Sequence, residues 1–280
     1  MNSPKAPIPD DYLATGFANV DKRNNASPFT TCLQLLDSLP YFQTYKQRSY
    51  ELLDLTPGLS ILEVGCGLGD DLRRMAEPIG SLGRLIGIDA SHTLLSQAKT
   101  RLANLSCVNL FQADARHLPF PDEHFDRCRI DRTLQHIKHP ERVIREMARV
   151  LKPGGLMLAY DNDWGTFSVS GQDEEASRLI EDIWTRSLTN RNVGRHLPRY
   201  FFDAGLRLIG AEPSVSVLTD FDLADRVYNL KMTARLAVEQ GFLSVERKKH
   251  WLKDLQQQSQ MGVFLCSLTT YTVVGQKSNG

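Results

Sequence analysis

No sign of charge predominates in this 280-residue chain: 33 Lys and Arg stand against 33 Asp and Glu, for a formal net charge of zero. A chain without a net field has little long-range pull on a polyanion, which disfavours nucleic acid as the main partner. Missing too is any run of about 18 consecutive apolar residues, the length a membrane span needs. The opening, MNSPKAPIPDDYLATG, lacks the apolar stretch of a secretory signal. These absences predict a cytoplasmic protein. Cysteine is sparse: Cys32, Cys66, Cys107, Cys128 and Cys266 are odd in number, scattered, and form no C-x-x-C pair. That argues against a disulfide scaffold and a zinc site, and predicts mostly buried, apolar thiols. No internal repeat or low-complexity tract is present.

What remains is a pattern of alternation. Residues 1 to about 30, rich in Pro, Asn, Asp and Ser, read as a loose arm, free to settle over another part of the protein. A helix is expected over Phe42–Leu53 after a break at Pro40, with Phe42, Tyr45, Leu52 and Leu53 near one face and Ser49 a polar gap. Strands are expected at Ile61–Val64, Arg84–Ile88, Val108–Gln112, Phe125–Asp131 and Leu156–Tyr160. Helices fall between them, the last stopped by Lys152-Pro153-Gly154-Gly155. Such a beat calls for a parallel sheet with helices on both faces, an α/β fold. Helical stretches at 172–188 and 195–204, a strand at Leu206–Leu218, a helical segment at 221–256 and a last strand at Val263–Val274 follow. The expected organisation is an arm with helices over the active site (1–45), a core (46–220), a helical insertion for substrate (221–258) and the core's final strand (259–280).

In open parallel sheets, ligands bind beyond the carboxyl ends of the strands. Gly65, Gly67 and Gly69 follow the first strand there, and Asp89, twenty residues past Gly69, ends the second where it can accept from ribose hydroxyls. The spacing is G-x-G-x-G, whereas a dinucleotide loop reads G-x-G-x-x-G. Glu63, Asp70 and Asp71 crowd the helix start where a pyrophosphate would sit. A cationic, phosphate-free nucleoside is expected, and S-adenosylmethionine meets that description.

At LEVGCGLGD (62–70), GID (87–89), QADARHLPFPDEHFD (112–126) and RVLKPGG (149–155) the chain resembles the class I S-adenosylmethionine-dependent methyltransferases, especially the ubiquinone/menaquinone C-methyltransferase subgroup. The resemblance covers about residues 45–160. It implies a Rossmann-like, doubly wound sheet of seven strands in the order 3-2-1-4-5-7-6, the last antiparallel. It also implies that Glu63, Gly65, Cys66, Gly67 and Gly69 receive the methionine part, that Asp89 and Ala90 lie at the ribose, and that Asp114 and Ala115 lie at the adenine. Arg132, where the sequence departs from related ones, is expected as polar lining of the cofactor or substrate pocket, with a surface arginine at a strand end paired with an acidic neighbour as the alternative.

Methyl transfer is an in-line displacement that needs positioning rather than a metal, and a base only where the acceptor must lose a proton. Candidates for that base are His136, Asp161 and Asp163, which follow the fourth and fifth strands; for the two aspartates helix capping is the alternative. No metal site is expected. Phe29, Tyr41, Trp164, Phe167, Trp184, Tyr200, Phe201, Tyr228 and Met232 are available to line an apolar cavity for a small-molecule acceptor. The basic run Arg247-Lys248-Lys249-His250 reads as a solvated helix face.

Overall fold

Short apolar runs punctuated by Gly, Asp and Pro form the strands, and amphipathic stretches form the helices, in a computed structural model that describes residues 8–279. From the N-terminus, α1 (Leu13–Gly16) and a 3-10 turn (Phe17–Lys22) lead into α2 (Ser27–Ser38) and α3 (Pro40–Leu52). Next come β1 (Ser60–Val64), α4 (Asp70–Ile79), β2 (Arg84–Asp89), α5 (His92–Arg101), β3 (Val108–Gln112), β4 (Phe125–Asp131), α6 (Pro140–Val150) and β5 (Leu151–Val169). Beyond these lie α7 (Glu174–Arg186), α8 (Val193–Asp203), β6 (Leu206–Leu218), α9 (Phe221–Tyr228), α10 (Leu230–Glu239), α11 (Val245–Gln260) and β7 (Cys266–Lys277).

The sheet runs β3-β2-β1-β4-β5-β7-β6, with β7 antiparallel to both of its neighbours. Helices cover both faces, and apolar side chains of the central strands pack under them. Ile61, Leu72, Met75 and Leu85 pack on one side, and Leu62, Ile130, Val143 and Ile144 on the other. Strand order reverses between β1 and β4, and the loops after them open into a single crevice.

The described part of the N-terminal segment is packed against the rest of the protein rather than loose. Tyr12, Leu13, Ala14, Val20 and Phe29 are buried in one cluster with Ile180, Trp184, Leu230 and Ala234. These apolar residues lack helical periodicity because distant partners hold them; the Tyr12 hydroxyl meets Thr233 Oγ1, 221 positions away, at 3.1 Å. Residues 1–7 lie outside the described range. The Lys152-Pro153-Gly154-Gly155 tract does stop α6, yet the chain is already extended from Leu151, which pairs with Phe125. β5 also runs past Tyr160 to Val169, because β7 pairs with that half. The helical stretch after β6 is three helices; left-handed Asn229 (φ 47°) turns α9 into α10. Cys32, Cys66, Cys128 and Cys266 are buried free thiols, and Cys107 is half-buried. On α11, Arg247 forks onto Asp173 and reaches Glu175.

Candidate active site

The crevice holds a cavity of about 790 Å³, within the range of small-molecule sites. At one end, the N–H groups of Gly65 and Cys66 both donate to Ile88 O, at 2.8 and 2.9 Å, and bend the chain sharply out of β1. Gly65 has φ +73°, and a Cβ there would meet Thr133 Oγ1 at 2.2 Å, so the loop can lie against the segment after β4 only as glycine. Gly67 donates its N–H to Asp89 Oδ2, and Ser91 N–H donates to Asp89 Oδ1, each at 2.9 Å. Burial pushes the Asp89 carboxyl up against the pull of these N–H groups. Two N–H bonds leave lone pairs of this carboxylate open to hydroxyl donors. Ala90, Gln112, Asp114, Ala115 and Arg116 continue the wall. Arg116 forks onto Asp114 and holds its carboxyl below the usual range. A glycine-rich turn beside a buried acceptor carboxylate fits the methionine and ribose portions of an adenosyl cofactor.

Behind the loop lies a charged layer. Arg129, wholly buried on β4, donates to Glu63 Oε1 at 2.5 Å, to Asp131 Oδ2 at 2.9 Å and to Ser49 Oγ at 3.0 Å. Lys46 and Tyr50 both donate to Asp71, and Arg101 donates to Asp70. Each of the three carboxylates that crowd the glycine turn thus has a cationic partner. Burial pushes Glu63 up while Arg129 opposes it; for Asp71, Arg129 and Lys46 overcome burial and hold it well below the usual carboxylate range. Glu63 and Gly69 are absent from the cavity wall, whereas Gly65, Cys66 and Gly67 form part of it. The preference for an adenosyl cofactor rests on the loop and Asp89 rather than on bare negative charge.

The far end of the cavity is aromatic. Trp164, Trp184 and Tyr228 meet pairwise with centroids 5.8 to 6.2 Å apart, and Leu13, Leu188, Val227 and Leu268 fill between them. Of the other residues expected to line it, Tyr41 does, and Phe29, Phe167, Tyr200, Phe201 and Met232 do not. The Tyr41 hydroxyl touches those of Tyr160, Ser214 and Thr270 at 3.0 to 3.1 Å. Arg132 and His136 lie along the wall between the two ends.

The three candidate bases are not brought together. Side chains alternate along β5, so Tyr160, Asn162 and Trp164 face the cavity while Asp161 and Asp163 face away. Asp161 is buried, accepts from the N–H groups of Asn162 and Gln135, and is pushed up by burial to about 7. Asp163 pairs with Arg195 at 2.6 Å. His136 reaches the cavity, but its neighbour Gln135 fixes its tautomer. Trp164 Nε1 can only donate, so the Gln135 atom 2.6 Å from it is the oxygen. The Gln135 nitrogen then donates to Arg132 O and to His136 Nε2, at 3.0 and 3.1 Å. His136 Nε2 is an occupied acceptor and Nδ1 carries the proton. Burial and the Arg132 charge lower His136 to about 4. Among the described residues, no three His, Cys, Asp or Glu side chains converge as a metal site.

Sequence reasoning passed over Lys46, Asp131, Gln135 and Thr270, all in the cavity wall. A lysine beside Phe42 and Tyr45 on the inward face of a helix, and alternating charges in a central strand (Arg127, Arg129, Asp131), were the available signals.

Residues 62–159 match a family model described as a methyltransferase domain. An uncharacterized 37.1 kDa protein of transposon TN4556 from Streptomyces fradiae is 36% identical over 235 residues, 84% of this chain and 67% of that protein. The ubiquinone/menaquinone biosynthesis C-methyltransferase of Ectopseudomonas mendocina is 37% identical over 120 residues, 42% of this chain; the match spans about half of that relative's length, 47%. Among solved structures, the YcgJ protein of Bacillus subtilis superposes with a TM-score of 0.60 at 19% identity, covering 85% of this chain and all of that one, a likeness of fold.

Proposed function

Because this chain belongs to the class I S-adenosylmethionine-dependent methyltransferases, we propose that it methylates a small, hydrophobic or aromatic metabolite at oxygen, carbon or nitrogen. The observation that carries this reading is the continuity of the cavity. One unbroken space runs from the glycine loop and Asp89 to the Trp164, Trp184 and Tyr228 wall, roofed by Leu13, Ala14 and Phe17 of the N-terminal segment. A roofed chamber suits a compact acceptor better than a polymer. The ubiquinone/menaquinone biosynthesis C-methyltransferase that resembles 42% of this chain points in the same direction.

In this reading Gly65, Cys66 and Gly67 hold the methionine part, Asp89 and Ala90 the ribose, and Asp114 and Ala115 the adenine. Glu63 and Gly69 support the loop from behind. The bound cofactor supplies a methyl group on a positively charged sulfur. This chain's own part is to align the acceptor with the methyl carbon and to exclude water, worth many orders of magnitude when reactants are well oriented. The experiment is transfer of labelled methyl groups to a fractionated cell extract. Label in a small, solvent-extractable product supports the proposal; label retained in RNA or protein would overturn it.

A further inference from the structure

Building on that methyltransferase reading, we propose that Arg132 receives an acidic oxygen of the acceptor, so that the protein selects small hydrophobic acceptors that react as carboxylates, phenolates or enolates. Arg132 lines the cavity with its guanidinium over the Phe42 ring, 4.8 Å from the centroid. Its Nε donates to Asp131 Oδ1 at 3.3 Å, and among the described residues neither Nη has a hydrogen-bond acceptor. Asp131 is in demand elsewhere: it also takes Arg129 at 2.9 Å, the Tyr45 hydroxyl at 3.1 Å and Lys46 at 3.6 Å. The guanidinium therefore offers a pair of donors of the geometry that matches a carboxylate or phenolate oxygen.

The backbone fixes Arg132 in place: it sits at φ +47°, pinned by its N–H to Tyr160 O at 2.8 Å and by Gln135 on its carbonyl.

An anionic acceptor also removes the need for a base, which His136, with Nε2 occupied, and the outward-facing Asp161 and Asp163 do not supply. For attack by oxygen, the oxyanion's electron pair forms the bond to the methyl carbon while the C–S pair stays on sulfur, leaving a neutral thioether. For attack by a carbon conjugated to that oxygen, the same electrons move, and the ring proton passes to water afterwards. Arg132 is placed toward the acceptor rather than the cofactor because its neighbours Phe42, Tyr45 and Tyr160 belong to α3 and β5, on the side of the Tyr41, Ser214 and Thr270 hydroxyls.

The test uses 4-nitrophenol, whose phenolate is yellow, titrated with pH on protein saturated with S-adenosylhomocysteine. Phenolate should bind about tenfold or more tightly than phenol, so the band appears at lower pH than in free solution. Arg132→Gln and Arg132→Gly should lose that preference while keeping S-adenosylhomocysteine affinity within about twofold, and Arg132→Lys should restore part of it. Glycine suits the φ at this position, so its loss of preference is not a folding defect. Variants that bind S-adenosylhomocysteine poorly yet still prefer phenolate would place Arg132 on the cofactor and overturn the proposal. So would a wild-type complex with no phenolate preference. A folded wild type that fails to bind S-adenosylhomocysteine is a different result and contradicts the methyltransferase reading itself.

Discussion

One amide, that of Gln135, sets the state of the residues around it. Its oxygen is claimed by Trp164 and Asn162, so its nitrogen must face His136 and demand a neutral ring with a free Nε2 lone pair. Protonating that ring in the folded protein loses this bond and adds a cation beside Arg132, and the folded value is accordingly about 4 against an ordinary 6.5. The sign of the linkage follows. Between these two values the unfolded chain binds the proton and the folded one does not, so stability is present above pH 6.5 and declines as pH falls toward 4. His136→Gln keeps an acceptor and removes the titration. Denaturant unfolding at pH 7 and pH 5 should show a smaller loss for the variant than for the wild type; an equal loss would remove His136 from this role.

Two contacts between elements hold the site in shape. Asp21, in the 3-10 turn, accepts from Ser91 Oγ and from the N–H groups of His92 and Thr93, capping α5 from another part of the chain. Although burial works against it, these donors lower its carboxyl to about 2. Asp21→Ala should cost about 1 kcal/mol, the usual value of a lost cap, and should speed amide exchange over residues 12–22 before the sheet is affected. Arg129 joins β4 to α3 and β1. Arg129→Met leaves Glu63 and Asp131 without that partner in the core and should destabilise by about 3–5 kcal/mol in chemical denaturation; a loss under 1 kcal/mol would mean the layer is not one unit. The strands and the glycine loop were legible in the sequence because their signals are local: the apolar runs before Gly65 and at Asp89 give β1 and β2 to within one residue of the observed bounds, and β3 matches at Val108–Gln112. The N-terminal segment and the Arg129 layer were not, since each is stabilised by partners brought near only by the fold. Ser49, a polar gap in the α3 stripe, is explained once Arg129 is seen to donate to it.

At the scale of the molecule, the strand order reverses between β1 and β4, so the glycine loop and the Arg132–His136 segment face each other across one opening. The N-terminal segment and the α9–α10 pair close that opening from above, joined where Leu13 N–H donates to Asn229 Oδ1 at 2.8 Å. No described helix is long and apolar enough to cross a membrane. The proposed function stands on the assignment of the glycine loop and Asp89 as the holders of the adenosyl cofactor in this opening. Calorimetric titration of the folded protein with S-adenosylhomocysteine, beside Asp89→Ala, tests that most directly. Wild type should bind one equivalent, and the variant should bind more weakly by roughly 1–3 kcal/mol, the scale for a lost hydrogen bond to a charged group. Equal affinity in the two proteins, or no binding by a folded wild type, would contradict it.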